Sequence, residues 1–183
     1  MPIYVNTPND LAVASALQAW LMEVLSFDIN HVVYADQNRV PANLGDYATI
    51  SFVAGKPWGT PWITYNDTGT QATETEITNL SVEVTYQIDI YGPHAADNMM
   101  TIFVLLRSDA TSEWFAAYGF TNGITLDTFY TDDPKRAVIT NEEDQYEDHW
   151  LTRVRLDTVQ QVSTSVNFMS VLSNPAVTLK NIQ

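Results

Sequence analysis

Five carboxylates fall within seven residues, at Glu142, Glu143, Asp144, Glu147 and Asp148, and His149 follows directly. Side chains of these types ligate a hard cation, act as a pair of catalytic acids, or repel a polyanion. A calcium loop of the EF-hand kind needs alternating carboxylates, a central glycine and a terminal glutamate. Residues 142 to 148 contain no glycine. Catalytic carboxylate pairs act across about 5–10 Å in unlike surroundings, which adjacency along the chain does not supply. Carboxylates packed together raise one another's pKa and repel. The stretch therefore reads as a solvated acidic loop before the last strand, and as a candidate channel or docking surface. A cation-dependent hydrolase using residues 142–149 is the enzymatic alternative.

Other chemistry has less support. The loop GKPWGT (Gly55 to Thr60) superficially resembles a phosphate-binding loop, but the Walker pattern places lysine after its second glycine and before Ser or Thr. Here Lys56 follows the first glycine, and Pro57 removes a backbone N–H that would face phosphate. Trp58, Trp62 and Tyr65 are aromatics that stack on sugars or anchor a protein interface. With Arg153 and Arg155 they are the candidate inter-subunit contacts. No Gly-x-Ser-x-Gly elbow exists, and His31, His94 and His149 lie in unrelated contexts. The absence of cysteine removes disulfides, thiol chemistry and zinc–thiolate sites. No catalytic residue, metal ligand or cofactor site is assigned, no cofactor is expected, and the chain reads as a non-enzyme.

Charge narrows the partners. Eight Lys and Arg oppose 22 Asp and Glu, a formal net charge of −14. A nucleic-acid binder needs clustered cations to displace counterions from phosphates. Lys56 and Lys180 are isolated, and the cations that stand close together are only two pairs, Lys135 with Arg136 and Arg153 with Arg155. Tight DNA binding is not expected, although an acidic protein suits a place beside DNA where DNA must not stick. With 45% hydrophobic and 16% charged residues, the composition is that of a folded protein rather than an acidic disordered tail. The 183 residues fit one domain, 1–183, a size that hides about 70% of the unfolded surface. MPIYVNTPND lacks the regions of a signal peptide, and no apolar run of membrane-spanning length occurs, so a cytoplasmic site of synthesis and no membrane are expected.

The elements that must position these residues follow from periodicity. Thr7, Pro8 and Asp10 resemble a helix start. Val13, Leu17, Trp20, Leu21 and Val24 recur at helical spacing, which predicts a helix from about Pro8 to Ser26. His31 to Tyr34 and Tyr47 to Val53 read as strands, the latter ended by Gly55. Residues 55–71 read as a loop or hairpin tip. Val82, Val84, Tyr86, Ile88 and Ile90 alternate with Glu83, Thr85, Gln87 and Asp89, so one strand face is buried and one wet. A second helix is predicted from about Ala95 to Tyr118, with Met99, Phe103, Leu106, Ala110 and Trp114 on one side and Gly119 as its stop. Strands follow around Ile124 to Tyr130, at Ala137 to Ile139, and from Trp150 onward. Residues 163–183 read as a further strand or an extended arm that orders on a neighbour. Strands that follow one another without intervening helices indicate an α+β fold: a mostly antiparallel β-sheet with two helices packed on one face, and a long hairpin or C-terminal arm.

Three segments, in order, resemble a known family. HVVYADQNRVPANLGDYATI (His31 to Ile50), IDIYGPHAADNM (Ile88 to Met99) and YEDHWLTRVRLD (Tyr146 to Asp157) are similar to elements of tailed-bacteriophage neck terminator, or tail-completion (tail terminator), proteins. The chain departs from that pattern where an arginine often follows the aromatic–Glu pair closely. Asp148 and His149 intervene here. The resemblance implies a structural virion protein that forms a ring, a hexamer, at the head–tail connector around the DNA channel. Its implied partners are itself, portal or connector proteins, and tail-tube or other tail proteins. Genomic DNA would pass without specific binding, and assembly would occur in the host cytoplasm. The competing expectation is a carbohydrate- or receptor-binding β-rich phage tail module using Trp58, Trp62 and Tyr65.

Overall fold

The computed structural model describes residues 5–7, 10–35, 45–66, 74–140 and 146–165. Two long strands dominate it. β5 (Thr75–Tyr91) and β8 (Tyr146–Ser165) run antiparallel, in register from Thr75 opposite Ser165 to Tyr91 opposite His149. Shorter strands line both edges of this ribbon. On the β5 side, β3 (Tyr47–Pro57) and then β4 (Trp62–Asn66) pair antiparallel with successive lengths of β5. β2 (Val32–Tyr34) adds to β3 as the single parallel pairing among the described strands. On the β8 side lie β7 (Lys135–Thr140), β6 (Leu126–Thr131) and β1 (Val5–Thr7), all antiparallel. The result is an eight-stranded, mostly antiparallel sheet, the α+β architecture expected from the strand order.

The alternation along β5 sets which face is dry. Val84, Tyr86, Ile88 and Ile90 are buried together with Ala48, Ile50, Val154 and Leu156 from the neighbouring strands. Three helices cover them. α1 (Asp10–Leu25) buries Val13, Ala16, Leu17, Trp20 and Leu21, the stripe that 3.6-residue periodicity predicts. It ends where Ser26 takes φ 54° and Phe27 N–H donates to Met22 O at 3.0 Å, the closing bond of a Schellman turn with serine in the usual glycine position. Trp20 stacks against Phe115 at 6.0 Å and ties α1 to the helix that carries it.

The single helix expected over 95–118 is two: α2 (Ala95–Leu105) and α3 (Asp109–Asn122). Ser108 is extended at φ −98°, ψ 149°. Its hydroxyl donates to Leu105 O at 2.7 Å, and its carbonyl accepts from Thr111 N–H at 3.1 Å. The break resets the helical phase. α2 buries Met99 and Ile102, with Leu106 just beyond its end, and α3 then buries Thr111, Phe115 and Gly119. Ala110, which a continuous helix would place inside, is exposed. Gly119 is not the stop either. Its missing side chain lets the chain return closely, since an added Cβ would lie 2.5 Å from Ile124 O. The left-handed residue after α3 is Gly123, at φ 67°.

Strand boundaries also shift. β3 runs past Gly55 to Pro57, with a bulge between Phe52 and Ala54, and part of the expected loop is β4. β4 and the adjoining parts of β5 and β8 form an arm. All five β4 residues are exposed. The arm is stitched by polar groups instead of a core. Asn79 of β5, 3% exposed, donates to Thr64 Oγ1 at 3.1 Å and accepts from Gln161 Nε2 of β8 at 3.0 Å.

Candidate interaction surface

Of the clustered acids, Glu147 and Asp148 lie where β8 pairs with β7. Glu142, Glu143 and Asp144 fall outside the described residues. Glu147 sits in β8 opposite Ile139. Asp148 is half-buried, with Oδ1 2.9 Å from Arg136 Nε of β7, and its carbonyl accepts from Gly92 N–H at 3.1 Å. Asp148 thus spends its charge within the fold. Among the described residues no group of three metal-ligating side chains comes together.

Each histidine is paired with one aspartate: His31 with Asp28 at 2.9 Å, His94 with Asp46 at 2.7 Å, and His149 with Asp89 at 2.8 Å. The Asp46 carboxylate also accepts the backbone N–H of His94 at 2.8 Å, so it pins the start of α2 to the start of β3. The His149–Asp89 pair is buried on the sheet face away from the helices. Gln87 Nε2 adds two bonds to Asp89, at 3.0 and 3.1 Å. The His149 ring lies on Tyr91 at 4.4 Å, and Tyr91 on Tyr47 at 4.6 Å, a stack across β8, β5 and β3. The expected wet face is therefore dry at its upper end.

Farther along that face the arginines divide. The Arg155 guanidinium reaches Asp132 at 3.4 Å and Glu83 at 3.9 Å, and stands 5.3 Å from the Tyr130 ring centre. Arg153 is exposed, opposite Gln87. The aromatics divide in the same way. Trp58 crosses β5 to donate its indole N–H to Asp157 Oδ1 at 3.0 Å, with its ring 5.9 Å from Phe129. Trp62, Ile63 and Tyr65 stand on the two sides of β4, each more than 40% exposed. Sequence reasoning missed the exposed Phe52 and Val53 of β3, Ile63 of β4, and Phe129 and Tyr130 of β6. Ile63 had a signal, for it lies between two residues already singled out. Phe129 and Tyr130 did not, because the bulge between Thr128 and Tyr130 turns them outward.

What stands out is therefore an uncharged, aromatic arm edge beside an otherwise acidic body, a surface suited to another protein. A family model for the phage neck terminator protein matches residues 11–180. The chain belongs to that family. The match spans all three helices and every described strand except β1, so the neck terminator is the whole folded body and not an insert within it. Its place is a structural one in the phage neck. No curated protein matches the chain. No helix of the described residues is long and apolar enough to cross a membrane.

Proposed function

We infer that copies of this neck terminator close into a ring, a hexamer, at the head–tail junction, where the ring ends or docks the tail and leaves a channel for DNA. The observation that carries this reading is the arm. A strand exposed on both faces, bearing Trp62, Ile63 and Tyr65, is stable in water only at the expense of apolar exposure and of an edge that no second described strand pairs. Burial against a neighbour removes both costs. The ring's other partners are portal or connector proteins on one side and tail-tube proteins on the other.

Charge supports the same reading. A ring of six carries six times the −14 of one chain, so like-charged bodies must meet through patches that hold little charge. Residues 58–66, WGTPWITYN, hold none. An acidic lining, to which Glu142, Glu143, Asp144 and Glu147 contribute while Asp148 is neutralised by Arg136, lets a polyanion slide past without being held. Trp58, itself exposed, is held against β8 by its bond to Asp157, and Trp62 is offered to the neighbour. Arg155 braces β6 against β8, leaving Arg153 as the arginine presented to a partner.

The test is the Trp58→Ala/Trp62→Ala double variant. Its subunit should keep its fold by circular dichroism while ring assembly and tail joining weaken. Particles of normal yield and infectivity would refute the role of the arm. Glycan binding that vanishes in the same variant would favour the sugar-binding alternative.

A further inference from the structure

The arm raises the question of which polypeptide lies against it. β4 pairs with β5 alone among the described residues, and its five residues are exposed in the single chain. No other described strand of the same chain completes this edge. Three strand ends meet at the arm's tip: Asn66 of β4 and Ser165 of β8 both sit opposite Thr75 of β5. β4 and β8 run toward this tip from the helical body. The polypeptide that follows Ser165 thus starts at the far end of the arm, roughly 55 Å of strand from the His149 end of the ribbon.

We propose that residues 166–183 of one copy add as a β-strand to the β4 edge of the neighbouring copy, so that adjacent neck terminators are joined by an exchanged arm. The proposal rests on the ring reading above and names the contact that builds it. Reach is sufficient, since these eighteen residues extend to at most roughly 60 Å. The pattern fits a strand: Val177-Thr178-Leu179 lies in a run, 176–182, that is free of Gly and Pro and follows the Asn174-Pro175 break. A seven-residue strand covers the five residues of β4 with one to spare at either end. Charge also fits. The segment carries one lysine, Lys180, and no Asp or Glu, and it meets an uncharged strand on a body of net charge −14. Main-chain bonds along β4 would give affinity, and the exposed Trp62 and Ile63 would give the apolar contacts on the two faces.

Two experiments test this separately from the function of the ring. The chain cut after Ser165 should remain folded but lose self-assembly. A synthetic 166–183 peptide should then bind it and slow amide exchange at residues 62–66 by about tenfold, because new strand pairing protects those groups. No binding, or no protection at 62–66, overturns the inference even if full-length chains still form rings. Because the chain has no cysteine, a second readout is direct. Ile63→Cys chains mixed with Val177→Cys chains should yield disulfide-linked pairs under mild oxidation. A chain carrying both substitutions that instead closes a bond within itself shows the segment folding back on its own β4, and this too overturns the exchange.

Discussion

Asp89 shows how a charged side chain comes to be buried in this sheet. It is 5% exposed, and its carboxylate accepts one bond from His149, itself 4% exposed, and two from Gln87. Burying a carboxylate is costly unless donors replace the lost water. His149→Phe should keep a ring against Tyr91 while leaving Asp89 with Gln87 alone, and so cost about 1–3 kcal/mol. The urea midpoint reads this loss. Adding Asp89→Leu should recover part of it, because removing both partners is milder than removing one. A second pair acts through pH. The hydrogen bond from the His31 side chain, with a further bond from Asn30 N–H, holds the exposed Asp28 carboxyl below the ordinary carboxylate value. The folded chain thus favours charged Asp28. Its stabilising contribution is present above the unfolded carboxylate pKa of about 4 and is lost as pH falls through the lowered folded value. Melting curves of wild type and Asp28→Asn should differ at pH 6 and converge as pH falls through that lowered value. A constant difference across that range would exclude this linkage.

The elements were unequally legible. The β5 alternation and the α1 stripe are local patterns, and both lie where periodicity puts them. The break at Ser108 had a local signal as well, serine followed by Asp109 in the first turn. A plausible apolar spacing through Leu106 and Trp114 masked it, because two helices on one sheet face mimic one longer stripe. Gly119 was legible as special but not in its role. Placing a methyl there puts it 2.5 Å from Ile124 O, a backbone atom that cannot swing away. Gly119→Ala should therefore cost about 1–3 kcal/mol despite alanine's better helix propensity. Thermal unfolding checks this, and an unchanged or raised melting temperature would contradict the close approach between α3 and β6. Within the arm, Asn79→Ala should loosen β4 while leaving the helical half intact. Amide exchange at residues 62–66 should then quicken and that of β5 residues 84–90 should not.

The assembled particle depends on how an acidic subunit meets its own copies. Repulsion between bodies of net charge −14 is screened within about 10 Å at 0.1 M salt and within about 30 Å at 0.01 M. Self-association of the neck terminator should therefore strengthen as salt rises from 0.01 M to 0.3 M, read by sedimentation velocity. A contact built mainly on ion pairs through Arg153 or Arg155 would weaken instead. The subunit keeps β4 free of charge and exposes Trp62, Ile63 and Tyr65 there, although Phe52, Trp58, Phe120, Phe129 and Tyr130 are exposed elsewhere.

Composition, net charge, the absence of cysteine and the two dominant periodicities belong to the amino-acid sequence alone, because each is a property of neighbouring residues or of a sum over all of them. From these came the α+β class and the expectation against tight DNA binding, whereas the expectation of a neck terminator came from the resemblance of three segments to that family. Only tertiary structure decided that Asp89 meets His149 sixty positions away, that Asn79 meets Gln161 across eighty-two, and that Arg155 is occupied while Trp62 is not buried. Those outcomes depend on strand register, which the alternation along one strand narrows to a choice of face but which is fixed only when that face packs against its neighbours.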